Sequence, residues 1–146
     1  MTQDHHRLVR RFFDAVNDQA TDRFDDIVVE DYHDHVEGQP RGREALKRYF
    51  EGHFRSFPDL KMSIHAIVAE GELVAVHSHL NGTQDGPIGD LPPTGRHIDV
   101  EAFQLYRVVD GRLAEHWEVA DVARMMAQLQ AGPDGAPDPQ TSETMP

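Results

Sequence analysis

The stretch LPPTGRHIDVEAFQLYRVVDGRLAEHWEVAD, residues 91–121, decides the fold of this chain. Two runs rich in Val, Ile, Phe, Tyr and Trp flank the dipeptide Asp110-Gly111. Asp-Gly favours the positive φ angles of a two-residue type I′ turn, and such runs on either side of it are typical of paired strands. The stretch therefore predicts an antiparallel β-hairpin.

The two-residue turn also predicts the register of the hairpin, because directly opposed residues project to the same side of a sheet. One face is more apolar than the other, and we expect it to face the core. Its members are Ile98, Val100, Ala102, Gln104, Tyr106 and Val108 on the first strand, and Leu113, Glu115, Trp117, Val119 and Asp121 on the second. Gln104, Glu115 and Asp121 are the polar members that need an explanation.

Asp121 has two interpretations, which do not exclude each other. A carboxylate that lies beside aromatic side chains loses hydration, which raises its pKa and suits it to proton transfer near neutral pH. Asp is also a favoured helix N-cap, and the segment VARMMAQLQ follows directly. The residues alone leave both roles open.

Composition and charge narrow the class of protein. The 146 residues suit one domain and include no cysteine, so the chain has no disulfide and no thiolate metal site. The net charge of -12, with scattered basic residues, argues against nucleic-acid binding. We find no apolar run of membrane-spanning length and no signal-peptide core, so we expect no membrane partner and a cytoplasmic location.

The first half of the chain has helical spacing. Apolar residues recur every three or four positions over 5–17 and 42–54, and a shorter helix is expected from Thr21 to Val28. Between the second and third helices, EDYHDH at 30–35 predicts a short extended segment.

The second half changes to a period of two. Leu60 to Val68 and Leu73 to Leu80 predict two strands. We expect their alternating apolar residues to face inward, among them Ala66 and Val68 on the first and Val74 and Val76 on the second, with His77 and His79 on the outer face. The long Gly/Pro-rich loop over 81–96 is typical of a functional lid or rim.

This element order predicts an α+β fold, in which a curved antiparallel sheet wraps around N-terminal helices and encloses a pocket. We expect a single domain over residues 1–130. The proline-rich segment over 131–146 is expected to be a disordered tail.

Several motifs resemble the SnoaL-like polyketide cyclases, also called SnoaL-like ester cyclases, of the nuclear transport factor two-like superfamily. They are EDYHDH, FPDL at 57–60, Gly82-Thr83, LPPTGR at 91–96 and DGRLAEHWEVAD at 110–121. The resemblance runs from Leu8 to about Val122, and it implies a cone-shaped α+β barrel with a hydrophobic cavity and frequent homodimerisation through the sheet. The chain departs from the family at Gln84, where relatives usually carry His, and at Ser78, where an aromatic is common and a small residue would enlarge the cavity.

The resemblance also implies site residues. Asp121 matches the acid/base aspartate that follows the EHW segment in the characterised cyclases. Tyr32 and His35 match a Tyr-x-x-His pair, and His116 and Trp117 match a His-Trp pair.

We therefore predict a cofactor-independent cyclase or isomerase that acts on a polyketide-like, largely apolar carbonyl compound. Asp121 would remove a proton from a carbon between two carbonyls, while donors from Gln104, Tyr32 and His35 would polarise the carbonyl. The remaining residues assigned to substrate binding are Phe13, Phe50, Met62, Ser78, His116 and Trp117.

Three alternatives remain open. The same pocket could serve a hydrolase or dehydratase, or hold a small molecule without transforming it. The His-x-His pairs at 33–35 and 77–79 have the chemistry of metal ligands. We assign no metal, because the pattern places His77 and His79 on the outer face, where histidines are more often exposed or at an interface. Residues on that outer face, including Phe103, Leu105, His116 and Glu118, are expected to form a homodimer surface.

Overall fold

The computed structural model describes residues 2–130; the segment over 131–146, for which a disordered tail was expected, lies outside them. The elements in chain order are α1 (Thr2–Asn17), a 3₁₀ turn (Thr21–Arg23), α2 (Phe24–Ile27), β1 (Val28–Asp34), α3 (Arg43–Ser56), β2 (Lys61–Glu70), β3 (Leu73–Thr83), β4 (His97–Val109), β5 (Arg112–Ala120) and α4 (Val122–Leu129). No helix within the described residues is long and apolar enough to cross a membrane.

The five strands form one open, curved sheet in the order β1-β5-β4-β3-β2. The pairs β2/β3, β3/β4 and β4/β5 are antiparallel, whereas β1 pairs with β5 in parallel. The predicted α+β fold is confirmed. The structure adds that the sheet is mixed, because the EDYHDH segment joins its edge as a parallel strand.

The helices pack their apolar stripes against the sheet. Val9 and Val16 of α1 are fully buried, and the ring of Phe12 lies 5.9 Å from that of Phe50 on α3 and 6.1 Å from that of Tyr106 on β4. Edge-on aromatic contacts of this kind stabilise a core beyond the area they bury. The core therefore joins α1, α3 and the inner face of the sheet.

The predicted turn is confirmed, but the predicted register holds only next to it. Asp110 and Gly111 have φ angles of 50° and 76°, and Val108 pairs with Leu113. Ala114 then forms a bulge, so that Arg107 pairs with Glu115. A one-residue slip reverses every following side chain.

The expected faces of β5 are therefore wrong beyond the bulge. His116 and Glu118 lie opposite Tyr106 and Gln104 and share their inner face. Glu115, Trp117 and Val119 point to the outer face, where Val119 is 77% exposed.

A second bulge, at His65, changes β2 in the same way. Ile64 pairs with Ser78, but Ala66 pairs with His77. The expectation that Ala66 and Val68 face inward is wrong: Val68 is 66% exposed, and the neighbouring Ile67 and Ala69 pack against the core instead.

The predicted loop over 81–96 begins after Thr83, where β3 ends, and it is held together by Gln84, which is fully buried. Its amide donates hydrogen bonds to the carbonyl oxygens of Gly86 and Pro92 at 3.1 and 3.2 Å, and its Oε1 accepts one from the Thr94 hydroxyl at 2.6 Å. Gln84 and the Thr of LPPTGR therefore order the loop internally.

Candidate active site

A cavity of about 190 Å³ lies between the inner face of the sheet and the helices. Its apolar wall comes from α1, α3, β2 and β4 and includes Phe12, Leu46, Phe50, Met62 and Val100. Its polar side chains include Tyr32 and Asp34 on β1, Ser78 on β3, Gln104 and Tyr106 on β4, and His116 and Glu118 on β5. An apolar cleft with a few convergent polar groups is the usual form of a small-molecule site.

His116 is the centre of the polar groups and is only 6% exposed. Its Nδ1 lies 3.1 Å from Asp34 Oδ1, and its Nε2 lies 3.0 Å from Gln104 Oε1. Because both nitrogens face oxygen acceptors, both contacts are satisfied when each nitrogen carries a hydrogen. The Asp34 side chain is itself only 8% exposed, so this contact lies in the interior of the protein.

Gln104 links His116 to two further side chains. The Tyr106 hydroxyl donates to Gln104 Oε1 at 2.5 Å, and Gln104 Nε2 donates to Ser78 Oγ at 3.0 Å. The Ser78 hydroxyl in turn donates to the carbonyl oxygen of Ala102 at 3.3 Å. These bonds fix the orientation of the Gln104 amide. We call Asp34, Ser78, Gln104, Tyr106 and His116 the histidine network.

Glu118 brings a second carboxylate to the cavity. Its Oε1 lies 3.5 Å from His116 Nε2, and its side chain is 29% exposed. Burial raises the pKa of Glu118 above the ordinary value; the His116 charge lowers it, and the negative charge of Asp34 adds a smaller upward shift. A partly desolvated carboxyl group of this kind is suited to exchange protons with a bound compound.

Residues 6–129 match the family model described as SnoaL-like polyketide cyclase. The chain belongs to the SnoaL-like polyketide cyclase family. A comparison with curated protein sequences found no match.

Three solved structures show the same fold as this SnoaL-like chain. A proposed polyketide cyclase, IdmH from Streptomyces antibioticus, is 29% identical with a TM-score of 0.77, covering 86% of this chain and 98% of IdmH. A proposed SnoaL-like polyketide cyclase from Jannaschia sp. CCS1 is 25% identical with a TM-score of 0.81. The match covers 90% of this chain and 95% of the Jannaschia protein. TsrD from Streptomyces laurentii is 24% identical with a TM-score of 0.82, and the match covers 87% of this chain and 95% of TsrD. At this identity it supports the fold alone.

Asp121 lies outside the cavity of this SnoaL-like protein. It is exposed, and its Oδ1 accepts a hydrogen bond from the backbone N–H of Arg124 at 3.0 Å. The expected inward placement of Asp121 is wrong, because the bulge at Ala114 reverses the faces of β5 before the strand ends. The structure shows the other interpretation, in which Asp121 caps α4.

The Tyr-x-x-His pair is divided between the two faces of the sheet. Tyr32 is 2% exposed and lines the cavity, and burial raises its pKa well above the ordinary value. His35 lies on the outer side, where its ring stacks on Trp117 at 4.5 Å and its Nε2 lies 2.9 Å from Glu115 Oε2. His35 and Trp117 are therefore not among the residues that line the cavity.

Of the other residues assigned to substrate binding, five line the cavity and one does not. Phe50, Met62, Ser78, Gln104 and His116 line the cavity. Phe13 is buried in the core and is not among the lining residues. No residue of the loop over 81–96 is among the lining residues either.

The sequence reasoning missed Asp34 and Glu118 as site residues. A signal for Asp34 was present, because on a regular strand it shares the face of Tyr32. For Glu118 no local signal existed, since its inward orientation depends on the bulge.

Proposed function

We propose that this SnoaL-like protein is a cofactor-independent cyclase or isomerase for a polyketide-like carbonyl compound, with Glu118 as its acid/base. The observation that carries the proposal is a carboxyl group of raised pKa in an apolar cavity, 3.5 Å from His116 Nε2. Asp121 lacks this environment. We therefore move the acid/base role from Asp121 to Glu118.

The reaction begins with proton transfer to the ionised Glu118. Its carboxylate removes a proton from a carbon between two carbonyl groups, and the electron pair of the broken C–H bond forms an enolate. The enolate carbon attacks a second carbonyl of the same molecule, which forms the new C–C bond and an alkoxide. Glu118 then returns the proton to the alkoxide oxygen, so the reaction needs no oxidant or reductant.

The histidine network stabilises the negative charge that develops on oxygen. Fixed donors in a water-poor cavity stabilise an oxyanion strongly, because they need no reorganisation during the reaction. His116 Nε2 faces both Glu118 and Gln104, so it is a donor beside the proposed acid/base. Asp34 is a positioning residue, since it holds the ring through Nδ1.

The cavity also limits the size of the substrate. Its volume of about 190 Å³ lies below the range of about 300–1,000 Å³ for sites that enclose drug-sized ligands. The Gln104 amide lies against the Ser78 hydroxyl and takes up part of the space beside this small residue. We therefore propose a compound with one or two rings.

Glu118→Gln and Asp121→Asn together test the assignment. The measurement is the rate at which ethyl benzoylacetate exchanges its central hydrogens for deuterium, followed by NMR against a buffer blank. Glu118→Gln preserves the shape and should reduce the protein-dependent rate by roughly 10²–10⁴-fold, the usual contribution of a positioned acid/base. Asp121→Asn is the matched control and should keep the wild-type rate, because Asn also caps helices.

Loss of exchange in Asp121→Asn, with Glu118→Gln unaffected, would restore the original assignment. Saturable binding of the ester without accelerated exchange would favour the alternative in which the cavity holds a small molecule and does not transform it.

A further inference from the structure

A cluster of metal-binding side chains lies on the outer face of the sheet, opposite the cavity. His77 and His79 are on β3, and Glu101 lies directly across from His79 on β4. Glu101 Oε2 is 2.7 Å from His77 Nε2 and 3.9 Å from His79 Nε2. One ligand atom from each residue lies within 4.8 Å of the others, so a single ion placed among them reaches all three after small side-chain movements.

Both imidazole rings are already oriented. His79 Nδ1 lies 2.8 Å from Asp99 Oδ1, which leaves Nε2 directed at Glu101. A carboxylate on the remote nitrogen is the partner that metal-bound histidines usually have. The His77 ring stacks on Phe103 at 4.5 Å and an interplanar angle of 7°. An ion that binds here would therefore find both rings already held in place.

The charge around this cluster also favours a cation. Within residues 2–130, Glu101 forms two ion pairs, one with His77 and one with His79. The similar cluster of His33, His35 and Glu115 differs in this respect. There the Arg107 guanidinium donates to Glu115, with Nε at 2.7 Å, and neutralises the carboxylate that an ion would need.

We propose that His77, His79 and Glu101 form a zinc-binding site, with Asp99 as the hydrogen-bond partner of His79. Two imidazoles and a carboxylate are a ligand set typical of Zn²⁺, and three protein ligands leave a fourth position open. His65 is the nearest further histidine, with its ring 4.4 Å from that of His79. This inference is independent of the cyclase proposal, because the site lies on the other face of the sheet.

Calorimetric titration of the untagged full chain with ZnCl₂ tests the site. We expect one zinc ion per chain, and we expect His77→Ala/His79→Ala to weaken binding at least tenfold. His33→Ala/His35→Ala is the matched control and should bind as the wild type does. Asp99→Asn should weaken binding by about 10–100-fold, as the loss of an outer-shell partner does.

Glu101→Gln provides a second test that keeps the side-chain shape and both histidines, and it should also weaken binding at least tenfold. Thermal unfolding followed by circular dichroism shows whether each variant is folded. The proposal is wrong if the wild type binds no zinc, or if binding is unchanged in the His77/His79 and Glu101 variants, which would indicate adventitious surface binding.

Discussion

Glu118 and Asp121 show how environment decides the role of a carboxylate. They are three positions apart, yet Glu118 lies beside a buried histidine and Asp121 is exposed at a helix end. Loss of hydration raises the pKa of the first, and the backbone N–H of Arg124 binds the second. Residue type alone does not distinguish a proton-transfer group from a cap.

The raised pKa of Glu118 predicts how the stability of the protein depends on pH. Between the ordinary value of 4.5 and the higher value in the fold, the folded protein holds a proton that the unfolded chain has released. The unfolded state therefore binds fewer protons, and the free energy of unfolding falls as pH rises through this window. Glu118→Gln removes this contribution, so above the window it should be more stable than the wild type.

Urea unfolding of both proteins at several pH values measures this effect. The two stability curves should diverge as pH increases from 4.5. Curves that stay parallel would show that the Glu118 carboxyl is solvated in the folded protein.

At the scale of elements, the two bulges control which side chains reach the cavity. Each adds one residue to a strand, at His65 in β2 and at Ala114 in β5. Bulges of this kind often lie next to functional sites, where they redirect a side chain. Without the bulge at Ala114, Trp117 would face inward in place of His116 and Glu118.

Alanine substitutions at two glycines, Gly86 in the loop after β3 and Gly52 in α3, should change the stability of the protein in opposite directions. A Cβ added at Gly86 would lie 2.2 Å from the carbonyl oxygen of Arg55, so Gly86→Ala should destabilise the protein by about 1–3 kcal/mol through overpacking. A Cβ at Gly52, inside α3, meets nothing closer than 3.7 Å. Gly52→Ala should therefore stabilise the protein by about 0.5–1 kcal/mol, because Ala favours the helix.

Chemical denaturation midpoints compare both variants with the wild type. Equal midpoints for the two alanine variants would show that the end of α3 and the loop do not pack as closely as the structure shows.

At the scale of the whole molecule, the outer face of the sheet carries an apolar patch. Val68, Phe103 and Val119 are 66%, 57% and 77% exposed, and they line one groove together with Leu105 and Trp117. A contiguous exposed apolar patch marks an interaction surface more often than scattered apolar residues do. We propose that a second copy of the chain covers it, because a two-fold interface pairs one patch with itself.

Light scattering coupled to size-exclusion chromatography tests this prediction. The wild type should have twice the mass of a single chain, and Val119→Lys should have the mass of one chain. Met126→Lys, at an exposed apolar residue of α4 outside the groove, is the control and should remain a dimer. A wild type with the mass of one chain would contradict the proposal.

The sequence by itself determined the elements, because their signals are local. The spacing of Leu8, Phe12 and Val16 specifies the buried face of α1, and Asp110-Gly111 specifies the turn of the hairpin. Alternation in β3 correctly placed Val74 and Val76 inside. These patterns, with the family motifs, were sufficient for the α+β fold.

Only the tertiary structure decided the candidate site. A bulge inserts one residue without a sequence signal, so the bulge at Ala114 changed the face of Glu118 and left Asp121 outside. The contact between Asp34 and His116 joins residues 82 positions apart, and it exists because β1 pairs in parallel with β5. The sequence alone could predict neither the bulge nor this contact. Strand pairing depends on packing across the whole sheet, whereas periodicity reports only a residue's nearest neighbours along the chain.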